Sequence, residues 1–79
     1  MNTDERIKGV MAAVFEVQVE DIDDNASPDT IGKWDSLRHM NLIVSLEEEF
    51  EVTFDDDDIA NMLNFKLVRL TIEQLTDQK

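Results

Sequence analysis

The sequence has no cysteine, one proline, two glycines and one histidine. Without cysteine the chain can form neither a disulfide nor a thiolate metal site, and a single histidine excludes a histidine-rich metal site. Its longest apolar runs are a few residues, whereas a membrane-crossing helix needs about 20. Its start lacks the basic and apolar segments of a secretory signal. We therefore expect a cytoplasmic protein that binds neither a metal ion nor a membrane.

Acidic residues outnumber basic ones, 19 to 7, which gives the 79-residue chain a net charge of -12. This charge would repel nucleic acid phosphates and favours protein partners with basic surfaces. The hydrophobic fraction is 42%, in periodic clusters, which is too much for a disordered acidic tail. A chain of this length makes one domain, so we expect a single domain over residues 1–79.

Hydrophobic periodicity predicts three main helices and a short one. Thr3, Asp35 and Asn64 stand at positions where their side chains could cap the main helices. The acidic run at 55–58 suits the start of the short helix, because the helix dipole favours negative charge there. No strand pattern appears, so we expect an all-α fold, a small antiparallel helical bundle. The predicted segments are residues 4–17, 36–51, a short stretch within 52–64, and 65–77.

A long loop separates the first two helices, because residues 18–35 are rich in turn-forming residues and lack helical periodicity. We expect Ile22 and Ile31 to anchor this loop on the core. Loops longer than about 12–15 residues are usually functional or mobile.

The acids of this loop partly match a calcium-binding EF-hand, with Asp21, Asp23 and Asn25 at ligand positions 1, 3 and 5. Ala26 stands where that loop needs glycine, and Gly32 stands where it needs the bidentate glutamate. The pattern fails at its two most diagnostic positions, so it does not predict a calcium site.

The second helix carries two apolar stripes. We expect the inner stripe to face the core; it consists of His39, Leu42, Ile43, Leu46 and Phe50. A protein of this size rarely needs a second apolar face on one helix, so the outer stripe suggests a contact surface. The outer stripe consists of Leu37, Met40 and Val44.

The residues at the start of this helix resemble those of a known family. The segment Trp34-Asp35-Ser36-Leu37, followed by LIVSLEEEFEV at 42–52 and by DDDDI at 55–59, resembles the acyl carrier proteins and the related peptidyl carrier domains. The resemblance spans nearly the whole chain, including the long loop and the last helix. Asp-Ser-Leu alone is a weak motif and would also fit an ordinary serine beside a helix cap.

The resemblance implies a carrier protein rather than an enzyme. The Ser36 hydroxyl would bear 4′-phosphopantetheine, installed from coenzyme A by a phosphopantetheinyl transferase, and the thiol of that arm would hold acyl groups as thioesters. Loading and condensing enzymes with basic surfaces would dock on the second helix of a monomeric carrier. The docking residues would be Asp35, Leu37, Met40, Val44, Glu47 and Glu48.

Ser36 and His39 could also suggest a hydrolase, since both fall on one side of a helix. The chain has no Gly-x-Ser-x-Gly elbow and no evident oxyanion hole, so we expect His39 to be a partly buried residue without a catalytic role. For Ser36, the free amides and partial positive charge of a helix start suit a phosphate.

The chain departs from the carriers of fatty-acid synthesis near Ser36. Trp34 precedes the motif, Arg38 and His39 follow it, and Asn41 stands where an acid is common. We therefore expect a specialised, free-standing carrier. Two alternatives stay open: a peptidyl carrier loaded with an amino acid, and an acidic cation- or protein-binding module without an arm. The sequence does not decide whether an acyl-sheltering cavity exists; its candidate lining is Ile43, Leu46, Met62, Leu63 and Val68.

Overall fold

Four α-helices make up the structure over residues 3–77, the part of the chain that this computed structural model describes. No residue in this range lies in a strand, which confirms the all-α prediction. One turn of 3₁₀ helix at Val19–Asp21 interrupts the long loop. The helices are α1 (Thr3–Phe15), α2 (Ser36–Phe50), α3 (Asp56–Asn61) and α4 (Phe65–Asp77).

The core forms where the apolar sides of α1, α2 and α4 meet. All four apolar residues of the inner stripe of α2 are buried, as predicted, and burial of such side chains is the main force that holds helices together. Met62, in the link between α3 and α4, is fully buried with them. The other helices contribute Ile7, Met11 and Phe15 from α1, and Phe65, Val68 and Ile72 from α4.

Helix α1 ends two residues earlier than predicted. Glu16 takes a left-handed conformation (φ 58°), which stops the helix, and the N–H of Val17 donates to the carbonyl of Ala12 at 3.1 Å. The Glu16 carboxylate is held by Lys33 at 3.3 Å and by Arg38 at 3.2 Å. Thr3, predicted as the cap, is instead the first described residue of α1 itself.

The long loop is fastened to the core, as the sequence predicted from its isoleucines. Ile22 and Ile31 are buried, and so are Ala26 and Trp34. The N–H of Phe65, at the start of α4, donates to the carbonyl of Ala26 at 2.9 Å. The loop therefore holds Trp34, and with it the start of α2, in a defined place.

The acidic run begins α3, as predicted, through a reciprocal cap. Asp55 accepts from the N–H of Asp58 at 2.8 Å, and the Asp58 carboxylate accepts from the N–H of Asp55 at 3.4 Å. Asn64 caps α4 by accepting from the N–H of Leu67 at 2.8 Å. Within residues 3–77, no helix is long and apolar enough to cross a membrane.

Candidate functional site

Ser36 is the first residue of α2 and is exposed to solvent. The side chain of Asp35 caps the helix by accepting from the N–H of Arg38 at 2.9 Å, as the sequence predicted. The Asp35 carbonyl accepts from the N–H of His39 at 2.8 Å, which closes the first turn. Because the first amides of a helix lack partners within it and carry partial positive charge, this position suits a phosphate ester.

A groove of about 370 Å³ opens beside Ser36. Its volume is at the lower end of the range for ligand sites, and most of its lining is apolar. Leu63, one of the candidate cavity residues, is 59% exposed at this groove rather than buried. Three other candidates, Ile43, Leu46 and Val68, lie in the core. The groove is lined by Pro28, Trp34, Asp35, Ser36, His39, Met40, Met62 and Leu63.

His39 links three parts of the fold at one side of this groove. The indole N–H of Trp34 donates to His39 Nδ1 at 3.0 Å, so Nδ1 is the acceptor and the ring proton is on Nε2. That Nε2–H donates to the carbonyl of Ile59 in α3, also at 3.0 Å. We call this chain of two hydrogen bonds the His39 bridge.

Aromatic stacking supports the bridge. The rings of Phe15 and Trp34 lie 5.0 Å apart between centroids, and those of Trp34 and His39 lie 6.1 Å apart. Half-buried His39 thus agrees with the prediction of a partly buried residue. Since both its ring nitrogens are bonded elsewhere, His39 is not arranged to take the Ser36 proton, which argues against a hydrolase.

The outer stripe of α2 faces solvent. Leu37 is 73% exposed, Met40 48% and Val44 50%. Glu48 is also exposed, and its position places it on the same side of the helix as Leu37 and Val44. Glu47 differs, because it is half-buried and its carboxylate accepts from the N–H of Phe54 at 2.9 Å. No pattern in the sequence predicts that hydrogen bond.

Arg38 points away from the outer stripe. Its guanidinium donates to the carbonyl of Val14 at 2.9 Å and pairs with Glu16, so its charge lies against the end of α1. The hydrogen bond and charge of Lys33, followed by those of Arg38, lower the pKa of the Glu16 carboxyl. The positive charge that follows Leu37 in the sequence therefore lies against a neighbouring helix and not on the outer stripe.

Metal binding has no built site in the described part of the chain. Among residues 3–77, no three histidine or acidic side chains converge as metal ligands would. In the loop, Asp23 accepts from the N–H of Asn25 at 2.9 Å, and Asp24 pairs with Arg69 at 3.1 Å. These two acids thus serve the loop and its contact with α4.

Sequence comparison identifies the family. Residues 5–65 match the family model described as the phosphopantetheine attachment site. The acyl carrier protein of Desulforapulum autotrophicum is 37% identical over 65 residues, which cover 80% of this chain and 83% of the relative. That of Nitratidesulfovibrio vulgaris is 36% identical over 67 residues, which cover 84% of this chain and 87% of the relative.

Comparison of the fold points to the same family. The solution structure of a holo acyl carrier protein from Geobacter metallireducens matches 99% of this chain and 90% of its own, with a TM-score of 0.87 and 27% identity. An exposed serine at a helix start, beside an apolar groove, fits the attachment of a phosphopantetheine arm. The chain belongs to the acyl carrier protein family, whose members are carriers rather than enzymes, and its prosthetic group is 4′-phosphopantetheine.

Proposed function

We propose that Ser36 is the residue that bears the arm. The observation that carries this proposal is the exposure of its side chain at the first position of α2, beside the groove. In the modification, Ser36 Oγ bonds to the pantetheine-bearing phosphorus of coenzyme A, the pyrophosphate bond breaks and 3′,5′-ADP leaves. The hydroxyl proton goes to a base of the transferase. The terminal thiol of the arm then holds acyl groups as thioesters.

Asp35 has a positioning role in this proposal. Its cap fixes the first turn of α2, and therefore the direction of the Ser36 hydroxyl. It is also exposed, so a phosphopantetheinyl transferase can contact it.

We assign the docking of partner enzymes to the outer stripe and the acids near it. Leu37, Met40 and Val44 present apolar contact area, and Glu48 lies on the same side. From residue 47 to 65 the chain has only acidic charges, so the field here attracts a basic surface and speeds the encounter. The same net charge repels a second copy, which favours a monomer. Glu47, through its bond to Phe54, acts mainly by holding the chain after α2.

The pathway proposed is a specialised one, such as polyketide synthesis, rather than housekeeping fatty-acid synthesis. Trp34, Arg38 and His39 are three of the four departures from the fatty-acid carriers, and all three fasten the head of α2 through hydrogen bonds. Asn41, the fourth departure, is exposed on α2, where it stands in place of an acid on the surface that partner enzymes would meet.

Intact-protein mass spectrometry after incubation with coenzyme A and a broad-specificity phosphopantetheinyl transferase tests the attachment. We expect the mass to rise by one phosphopantetheinyl group in the wild type and in Ser45→Ala, a control on the same helix, but not in Ser36→Ala. An unmodified wild type that is folded by circular dichroism would contradict the proposal.

The holo protein then tests the pathway. We expect slow loading by a malonyl transferase of fatty-acid synthesis, and fast loading would refute a specialised role. Transfer of an amino acid onto the arm by an adenylating enzyme, without transfer of any acyl group, would show a peptidyl carrier instead.

A further inference from the structure

We propose that His39 determines which cargo the carrier accepts, by closing the gap between α2 and α3 at the Ser36 end. The inference rests on the proposed attachment of the arm at Ser36. With the gap closed, the cargo lies in the external groove, which suits a short acyl or aminoacyl group. A long acyl chain finds no path into the core.

The position of the His39 bridge supports this role. Trp34 belongs to the long loop, His39 to α2 and Ile59 to α3, so two hydrogen bonds of 3.0 Å join three separate elements. His39 lies one helical turn after Ser36 and lines the same groove. A chain that entered between α2 and α3 from Ser36 would have to displace this ring.

Displacement of the His39 ring would cost hydrogen bonds. Without His39, the indole N–H of Trp34 would lose its partner in a buried place, and the carbonyl of Ile59 would keep only the N–H of Met62, at 3.4 Å. An apolar chain offers neither a donor nor an acceptor in exchange. Helix α3 has only six residues, too few to be stable alone, so its position depends on such contacts.

The two sides of the His39 bridge also differ in how tightly they are packed. Behind it, Ile43 and Leu46 are 0–2% exposed, and the space between the helices is filled by buried side chains. In front of it, the groove of about 370 Å³ is open and largely apolar, with Met40 and Leu63 at its rim. Methionine adapts to different small groups.

The test compares carriers loaded with acyl groups of increasing length. A broad-specificity transferase attaches acetyl, butyryl, octanoyl or decanoyl phosphopantetheine directly from the acyl-coenzyme A, and mass spectrometry confirms each product. In the wild type we expect the thermal midpoint to be the same with octanoyl and decanoyl as with butyryl. In His39→Ala we expect it to rise with chain length, because the chain enters the opened gap.

Cleavage of the thioester by hydroxylamine gives a second reading. We expect the octanoyl thioester of His39→Ala to be cleaved several-fold more slowly than that of the wild type. Ile72→Val, a core change on α4 outside the groove, is the matched control; it should lower the midpoint equally for every cargo. If His39→Ala does not fold, Trp34→Phe removes one of the two bonds and should give the same trend, at smaller size.

Two results would overturn the role of His39. One is a wild type that is itself stabilised and protected more by longer chains. The other is a His39→Ala protein whose midpoint falls equally for all cargoes. Failure of the attachment at Ser36 is a different outcome, since it would appear in the mass spectrum before any cargo is compared.

Discussion

The two sides of α2 are held by different kinds of interaction. Toward α1, the polar contacts at the edge of the apolar core are charged: Arg38 pairs with Glu16 at 3.2 Å, and Arg6 with Glu49 at 3.0 Å. Toward α3 they are uncharged, through the His39 bridge and its aromatic stack. Exposed ion pairs contribute about 0–1 kcal/mol each and weaken with salt, whereas aromatic stacking adds about 0.5–1.5 kcal/mol beyond burial.

The two sides therefore differ in how their contacts respond to salt. On the α1 side, Arg38 also holds the last turn of α1 through the carbonyl of Val14, so the ion pairs and the helix end are one unit. On the α3 side, the His39 ring connects the six-residue helix α3 to α2 and to the long loop. Opening that side breaks two hydrogen bonds but separates no opposite charges, so its cost does not fall with salt.

The largest expected effect comes from removing the Trp34 ring, on the side of α2 that faces α3. We expect Trp34→Ala to lower the free energy of unfolding by about 3–5 kcal/mol, because a buried indole against Phe15 and His39 is lost. Trp34→Phe keeps a ring but loses the N–H, and should cost about 1 kcal/mol. Urea unfolding followed by circular dichroism measures both. Equal losses for the two variants would mean that the ring packing contributes little.

A smaller test concerns the head of α2, where the two sides meet. We expect Asp35→Ala and Asn64→Ala to lower the free energy of unfolding by about 1 kcal/mol each, since each removes one helix cap. Only Asp35→Ala should slow the modification of Ser36, measured as the initial rate of mass gain. If Asn64→Ala slows it to the same extent, the effect reports stability and not the positioning of Ser36.

The smallest effect is a pH dependence on the charged side. Lys33 and then Arg38 lower the pKa of Glu16 below its ordinary value of 4.5, so ionised Glu16 stabilises the folded state at pH values above 4.5. That contribution disappears as the pH falls through the lower, folded-state pKa. The difference in free energy of unfolding between wild type and Glu16→Gln should therefore shrink on acidification. It should also shrink in high salt; a difference independent of pH would contradict the assignment.

Local sequence patterns predicted the parts of the fold that depend on neighbours in the chain. The caps at Asp35 and Asn64, the acidic start of α3 and the inner stripe of α2 all follow from spacing and dipole arguments. Exposure of the outer stripe followed from the same periodicity, because a helix can turn only one side to the core.

Local sequence patterns could not predict contacts between residues that are far apart in the chain. Helix α1 ends at Phe15, where Glu16 takes a left-handed conformation and its carboxylate contacts Lys33 and Arg38, 17 and 22 residues away. Periodicity placed His39 on the inner stripe, but its partner Ile59 lies 20 residues further on and is a backbone carbonyl, which no side-chain pattern reveals. For the same reason, the hydrogen bond from the amide of Phe54 to the Glu47 carboxylate was not predicted.

The hydrogen bond from Phe65 to Ala26 joins the start of α4 to the middle of the long loop. The first amides of a helix ordinarily exchange their hydrogens with the solvent freely, because they lack partners within the helix. Here the exchange of the Phe65 amide is controlled by the loop that covers it. One backbone hydrogen thus reports how often the loop that precedes Ser36 lifts from the core, while the helix to which it belongs stays folded.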